Sequence, residues 1–259
     1  MVSIIIPAYN EEKRIGKILG NYGEFFKNLK KKGEINHFEL LVVINNTKDK
    51  TEEVTKKFQK KYEEIRHLNF KEGGKGFAIK KGFEDALKRK NELIGFVDAD
   101  MSTPPNAFYD LVKNLKGYDG IIANRWHEKS IITPKQNLIR RFVSRGYNIL
   151  VRTLFLIPFK DTQCGAKLFT RDAIEQIYKK LITNSWGFDI ALLYCLRKEY
   201  NAKIKSIPTV WHDEKGSKIN LIKTPMRMFA SSIRLRLSHS PFKFIIRFYR
   251  KIPKDWKIY

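Results

Sequence analysis

An α/β fold with a doubly wound, mainly parallel sheet is predicted for the N-terminal half of this chain. Two observations carry that prediction. Short β-branched or aliphatic runs alternate with helix-forming stretches, and the connection after each run is long enough for the crossover helix that parallel strands require. With 259 residues, 42% of them hydrophobic and 13% aromatic, the chain can fill one large domain or a domain with an appendage.

Val2 to Ile6 is the first run, stopped by Pro7, and residues 11 to 32 have helical composition up to Gly33. Phe38 to Ile44 is the second run. Asn45 to Thr47 then form a turn, and Asp49 and Glu52 suit the capping box of a second helix. His67 to Phe70 reads as a short strand, and Gly73-Gly74-Lys75-Gly76 opens a helix through about Arg89. Leu93 to Val97 is a buried strand. Pro104 and Pro105 suit the first turn of a helix whose Phe108, Leu111, Val112 and Leu115 share a face, and Tyr118 to Ala123 closes the series as a strand. Beyond residue 124 the pattern becomes a basic amphipathic stretch, Pro134 to Phe155, a compact piece reading DTQCGAKLFTRDA, a helix through WGFDIALLYCLRK and a short strand, Ala202 to Ile207. Residues 1–216 are expected to form the main domain. Residues 217–259 are expected to form a basic amphipathic helical extension, with Ile222, Met226, Phe229, Ile233 and Leu237 at helical spacing.

Lys and Arg outnumber Asp and Glu by 51 to 27, a formal charge of +24. Anionic partners follow from such a balance, whether nucleotides, nucleic acid or a lipid surface; a lysine-rich solvated surface is the plainer alternative. Cys164 and Cys195 have no paired spacing, which argues against a disulfide framework or a zinc knuckle and for a reducing, cytoplasmic setting. The start, MVSIIIPAYNEE, lacks the features of a signal peptide. No apolar run reaches the roughly 18 residues of a bilayer span, so any membrane is expected to be met from one side.

In a parallel sheet ligands bind beyond the carboxyl ends of the strands, which directs attention to the loops PAYNE, NNTKD, EGGKG and DADMS. Asp98 and Asp100 lie two apart at the end of an extended run, so their carboxylates can point the same way. Converging near a diphosphate, they would hold Mg2+ or Mn2+, hard cations that take oxygen ligands and bridge to phosphates; a solvent-facing acidic turn is the alternative. In EGGKG, backbone amides at a helix start can approach a phosphate and Lys75 adds charge. That loop is neither a Walker loop nor a G-x-G-x-x-G motif.

Taken in order, PAYNEE, the polar loop at 45–51, GGKG, DAD, RRFVS, DTQCGAKLF and WGFD resemble a family 2 glycosyltransferase of the GT-A fold. The nearest subgroup is that of the dolichyl-phosphate glucose and polyprenyl-phosphate mannose synthases, and the resemblance runs from residue 1 to about 216. It implies that Pro7, Ala8, Tyr9 and Glu11 border the nucleotide base and ribose, that Lys75 sits near the base or phosphates, that Asp98 contacts the nucleotide side, and that Asp100 binds the metal. Ser102 stands where many such enzymes carry a Gln. Asn45-Asn46-Thr47-Lys48 stands where Asp-Asp-Gly-Ser is common, which leaves Asn45 against the nucleotide and the identity of the base open. Arg125, Arg140 and Ser144 match positions that bind the lipid phosphate or sugar diphosphate, and guanidinium suits that task. Gln163, Cys164 and Gly165 would floor the sugar pocket, Asp189 would orient the acceptor or act as base unless it merely caps its helix, and Trp211 with His212 would pack over the donor unless they lie in a surface loop.

The expected activity is inverting transfer of a hexose, glucose or mannose, from a nucleotide diphosphate sugar to a dolichyl or other polyprenyl phosphate. The place of action is the cytoplasmic face of a membrane, reached peripherally through the basic and aromatic segments Arg140 to Phe159 and SPFKFIIRFYRKIPKDW. Transfer to a glycan or protein hydroxyl is the near alternative. An inactive sugar-nucleotide binder is suggested by the Asn pair alone, and a phosphatase with Asp98 as nucleophile is disfavoured by Met101-Ser102. Nucleic acid is not an expected partner, since no motif for it accompanies the charge.

Overall fold

The computed structural model describes residues 1–89, 91–134, 138–181, 187–212, 232–233 and 236–237, with the backbone alone for 138–143. A seven-stranded sheet organises them, in the order β3-β2-β1-β4-β7-β5-β8. Its strands are β1 (Val2–Ala8), β2 (Phe38–Asn45), β3 (Ile65–Phe70), β4 (Leu93–Val97), β5 (Gly120–Asn124), β7 (Ala166–Thr170) and β8 (Ile204–Pro208). A separate parallel pair joins β6 (Ile131–Thr133) to β9 (Val210–His212). The helices are α1 (Ile15–Lys31), α2 (Thr51–Gln59), α3 (Lys75–Lys88), α4 (Pro105–Lys113), α5 (Leu138–Phe155), α6 (Arg171–Ile177) and α7 (Phe188–Glu199).

Both faces of the sheet are covered, as a parallel sheet demands. Alternate residues of each strand serve opposite faces: Ile4, Ile6, Leu40 and Val42 meet Ile15, Leu19, Tyr22, Phe26 and Phe108 on one side. Ile5, Leu41 and Val43 meet Ile79, Phe83, Val151, Phe155 and Phe188 on the other. Helix α1 turns Ile15, Ile18, Leu19, Tyr22, Phe26 and Leu29 inward at helical spacing. Helix α4 begins at Pro105, where the missing N–H costs nothing.

Several expectations change. Pro7 does not end the first strand: β1 runs on to Ala8. The β4 partner covers only Val2 to Ile5, so no β4 ladder bond is asked of Pro7. Strand β3 begins at Ile65, two residues before His67. The compact piece DTQCGAKLFTRDA contains β7, which lies antiparallel between β4 and β5. Asp49 accepts from the Thr51 amide at 3.0 Å and the Glu12 amide at 3.1 Å, but Glu52 turns to Lys56 and Asn69 rather than back to the cap, so no capping box forms. Trp211 and His212 belong to β9, with Trp211 buried, which removes the surface-loop alternative. Of the C-terminal extension, Ser232 meets the Tyr147 hydroxyl at 2.8 Å and Arg236 Nε donates to the Leu154 carbonyl at 3.0 Å, both on α5. Ile222, Met226 and Phe229 lie outside the described residues, as does most of the 217–259 segment.

Candidate active site

Strands β1, β2, β3 and β4 run parallel, so the loops after them open on one edge. Strand β7 runs the other way and brings the start of its segment, Gln163 to Gly165, to that same edge. The Asp98 amide donates to the Gly165 carbonyl at 3.2 Å. A Cβ on Gly165 would stand 1.8 Å from Asp98 Oδ2, so the absence of a side chain there is what gives the carboxylate its place.

Asp98 Oδ1 lies 2.6 Å from Lys75 Nζ, and Lys75 Nζ lies 3.7 Å from Asp189 Oδ2. Asp189 Oδ1 in turn accepts from Lys167 Nζ at 2.6 Å, and the same ammonium donates to the Cys164 carbonyl at 2.6 Å. Burial alone would raise the Asp189 carboxyl, but Lys167 and Lys75 outweigh burial and hold it below its ordinary value. Burial would likewise lower the Lys75 ammonium, yet Asp189 and Asp98 raise it. At Asp98 burial prevails over Lys75, and the neighbouring charges of Asp100 and Asp189 push its carboxyl up as well. Asp189 makes no side-chain cap for α7, whose N-cap is Gly187, so the capping alternative falls away.

Asp100 sits one turn further on. Its Oδ1 accepts from the Ser102 amide at 2.9 Å, across Met101, whose φ of +64° folds the loop back. Two outside bonds fix this loop: the buried Tyr22 hydroxyl donates to the Thr103 carbonyl at 2.9 Å, and the His212 amide to the Ser102 carbonyl at 2.7 Å. Ser102 is itself buried. Asp98 and Asp100 fit a divalent cation in their chemistry: both are half-buried carboxylates, and burial, with Asp100 adding to it, raises the Asp98 carboxyl, a cost that a cation would relieve. Among the described residues no set of three His, Cys, Asp or Glu side chains gathers into a metal cluster. A cation held here would therefore take its remaining ligands from diphosphate oxygens and water, the habit of Mg2+.

Asn45 braces two of these loops. Its amide is buried, with Nδ2 donating to the Ala8 carbonyl at 2.9 Å and Oδ1 accepting from the Gly74 amide at 2.9 Å. Both ends of the side chain are engaged in tying the end of β1 to the GGKG loop. An aspartate could accept from Gly74 but has nothing to donate to Ala8, which is the physical reason for asparagine here. Tyr9 is exposed at the end of β1, and Pro7 is half-buried. Glu11 pairs with Arg14 through two bonds of 2.6 Å, and burial pushes its carboxyl up, with Asp100 among the charges that reinforce the shift.

Arg125, after β5, is held by wholly buried Asp161: Nε to Oδ2 at 2.8 Å and Nη2 to Oδ1 at 2.9 Å. Its guanidinium lies 4.9 Å from the centre of the Trp211 ring. This arginine is thus pre-oriented by an acid, and Nη1 alone stays outside that pair. Gln163 is half-buried, its amide donating to Asp161 at 3.3 Å. Burial drives the Cys164 thiol up to about 12, which suits a small core residue and not a nucleophile. Ser144 is half-buried on α5; Arg140 is on the same helix, its side chain outside the described residues. Two participants escaped the sequence reading. Both lie within DTQCGAKLF, but nothing in that motif shows that Lys167 pairs with the distant Asp189 and Asp161 with the distant Arg125.

The Glycosyl transferase family 2 model matches residues 3–178 of this chain. A dolichyl-phosphate beta-glucosyltransferase of Dictyostelium discoideum is 31% identical over 247 residues, covering 92% of this chain and 74% of the relative. Enzymes of the same description from Homo sapiens and Saccharomyces cerevisiae are 29% and 30% identical, each covering 92% of this chain and 75% of their own. Among solved structures, glucosyl-3-phosphoglycerate synthase from Mycobacterium tuberculosis, in complex with Mn2+, uridine diphosphate and phosphoglyceric acid, superposes with a TM-score of 0.67 at 17% identity, covering 92% of this chain and 78% of that one. At that identity the likeness is one of fold.

Proposed function

Because the chain belongs to glycosyl transferase family 2, we propose that it moves glucose, with inversion, from a nucleotide diphosphate sugar to dolichyl phosphate or a related polyprenyl phosphate. That it is a glycosyltransferase follows from the family; the sugar and the acceptor are carried over from the relatives' names, and uridine diphosphate is the donor nucleotide suggested by the solved neighbour. The observation that carries the acceptor is the state of Asp189. A hydroxyl acceptor needs a base to take its proton, and the acid at the position for that task is tied to Lys167 and Lys75 and held low. A phosphate monoester arrives already ionised and attacks without one.

In this reading the donor lies along the loops after β1 to β4, with Tyr9 beside the base and Lys75 beside the diphosphate. Asp100, with Asp98, would hold a divalent cation, which would supply positive charge against the departing diphosphate. Arg125, held by Asp161, presents its free Nη1 to the acceptor phosphate, with Arg140 and Ser144 from α5 joining it. The phosphate oxygen attacks the anomeric carbon in line with the bond to the nucleotide diphosphate, so that bond breaks as the new one forms.

No helix among the described residues is long and apolar enough to cross a membrane. The reading places the chain against a membrane surface, through the outward side of α5 and its exit. Arg145, Ile149, Arg152 and Leu156 recur there at helical spacing, with Ile149 61% and Leu156 74% exposed. Of the other apolar residues expected to meet lipid, Phe155 is buried against Tyr194, and Leu150 and Leu154 are partly buried against the core.

The test is incubation with labelled nucleotide sugars, polyprenyl phosphate and Mn2+ or Mg2+. The expected result is label in a lipid product that mild acid releases, and its loss in Asp100→Asn with folding retained. Transfer only to water or to protein would refute the acceptor. An Asp100→Asn variant with full activity would refute the metal assignment.

A further inference from the structure

Lys167 lies in the body of the sheet on β7 with its side chain wholly buried. A buried ammonium carries a desolvation cost that an apolar residue of similar volume avoids, so a contribution to stability is a poor explanation for it. More telling is what its partner does next. Asp189 gives one oxygen to Lys167 and turns the other toward Lys75, 3.7 Å away, and Lys75 lies 2.6 Å from Asp98. Charge alternates along these contacts, lysine, aspartate, lysine, aspartate. Side-chain exposure rises outward, from 0% at Lys167 and 8% at Asp189 to 32% at Lys75 and 27% at Asp98.

We propose that Lys167 is a positioning residue for sugar transfer: from inside the sheet it fixes the Asp189 carboxylate, and through Asp189 it holds the Lys75 ammonium at the mouth of the site, beside Asp98, where the nucleotide diphosphate binds. This rests on the donor placement given above. Lys167 is well suited to the task, since its second bond, to the Cys164 carbonyl at 2.6 Å, is to the backbone immediately before Gly165. One ammonium thus sets both the carboxylate that anchors Lys75 and the segment that packs against Asp98. Without it, Asp189 loses the cation bonded to it, and attraction at short range in a half-dry site draws Lys75 inward.

The test uses Lys167→Met, which fills similar volume, with uridine diphosphate and Mn2+ titrated into the full chain by calorimetry, beside steady-state kinetics. The expected result is unchanged stoichiometry and an affinity for uridine diphosphate about tenfold weaker, as for loss of a charge-assisted contact. With it should come a kcat about a hundredfold lower from misplacement of Lys75 and an acceptor KM within twofold of the original. A merely structural lysine gives the opposite pattern, fewer binding sites of unchanged affinity, and that result overturns the proposal, as does affinity and kcat both within twofold of the unmodified enzyme. Should Lys167→Met fail to fold, Asp189→Asn breaks the same linkage from the other side and is expected to weaken uridine diphosphate equally; unchanged affinity there overturns the proposal. If the unmodified protein binds uridine diphosphate but transfers no sugar to polyprenyl phosphate, the acceptor reading fails while the affinity shift still decides the role of Lys167.

Discussion

Gly165→Ala is the sharpest test of how this site is assembled. The added methyl would sit 1.8 Å from Asp98 Oδ2 and 2.3 Å from its Cγ, where contacts below 3.0 Å do not occur. The carboxylate must retreat by about 1.2 Å to reach even that limit. Its other oxygen, Oδ1, is only 2.6 Å from Lys75 Nζ, so Asp98 either swings off its lysine or drives it outward. Overpacking of this kind costs about 1–3 kcal/mol of stability, which a domain of this size can absorb. A displacement of about 1 Å at a reacting centre costs on the order of a hundredfold in rate, near 2.7 kcal/mol in the barrier. Transfer of labelled glucose to polyprenyl phosphate at saturating donor measures kcat, and thermal unfolding confirms that the variant is folded. A folded Gly165→Ala protein with kcat within threefold of the original would refute both the close packing and the importance of the Asp98–Lys75 contact.

Asn45→Asp should lower stability by about 2 kcal/mol, because the Ala8 carbonyl loses its buried donor and faces an oxygen; calorimetric Tm reports it, and an unchanged Tm would show that the Asn45 bridge is not made. Asp161→Asn leaves the Arg125 guanidinium without its counter-charge and should cost about 3 kcal/mol in urea unfolding, as for other broken buried pairs. The same variant should respond differently to acid. Burial would raise the Asp161 carboxyl, but Arg125 outweighs burial and holds it below the ordinary 3.8. The stability it confers is therefore complete above about pH 4 and is lost as pH falls through its folded value, so the acid limb of the stability curve should flatten in Asp161→Asn. Ile149→Asp with Leu156→Asp removes two exposed apolar side chains from the outward side of α5 and its exit. Flotation with vesicles containing anionic lipid should fall at least tenfold, as expected from their combined burial, with Tm unchanged; equal flotation would clear this face of any membrane role.

Much of the fold was legible because its signals are local. The apolar runs and the glycine and proline punctuation located β1, β2, β4 and the helices between them, and the order of loops pointed to the GT-A architecture that the solved neighbour shares. Strand β7 was missed because AKLFT breaks its apolar run with a lysine whose counter-charge lies 22 residues on. The loops at this edge of the sheet were legible, but the long-range partners of their residues were not. Asn45 looked like an altered nucleotide ligand, and only the positions of Ala8 and Gly74 reveal a brace. Arg125 reads as a phosphate ligand, but nothing near it in sequence shows that Asp161, 36 residues later, is the acid that orients it. Pairings of this range leave no periodic trace in a sequence.

The reversed direction of β7 has a consequence for the order in which the protein becomes competent. The unit from β1 to β4 is made of consecutive crossover connections and can condense from local contacts, yet its Asp98 has no neighbour on one side until residues 165 and 167 arrive. That segment must cross back over the stretch containing β5, β6 and α5, and closures of that span are slow compared with helix and hairpin formation. During refolding, helical ellipticity should therefore recover before nucleotide binding does. A ribosome-bound chain ending near residue 134 would hold the loops after β1 to β4, with the edge of β4 that pairs with β7 left unpaired. The surroundings of Asp98 are complete only once β7 has closed beside β4.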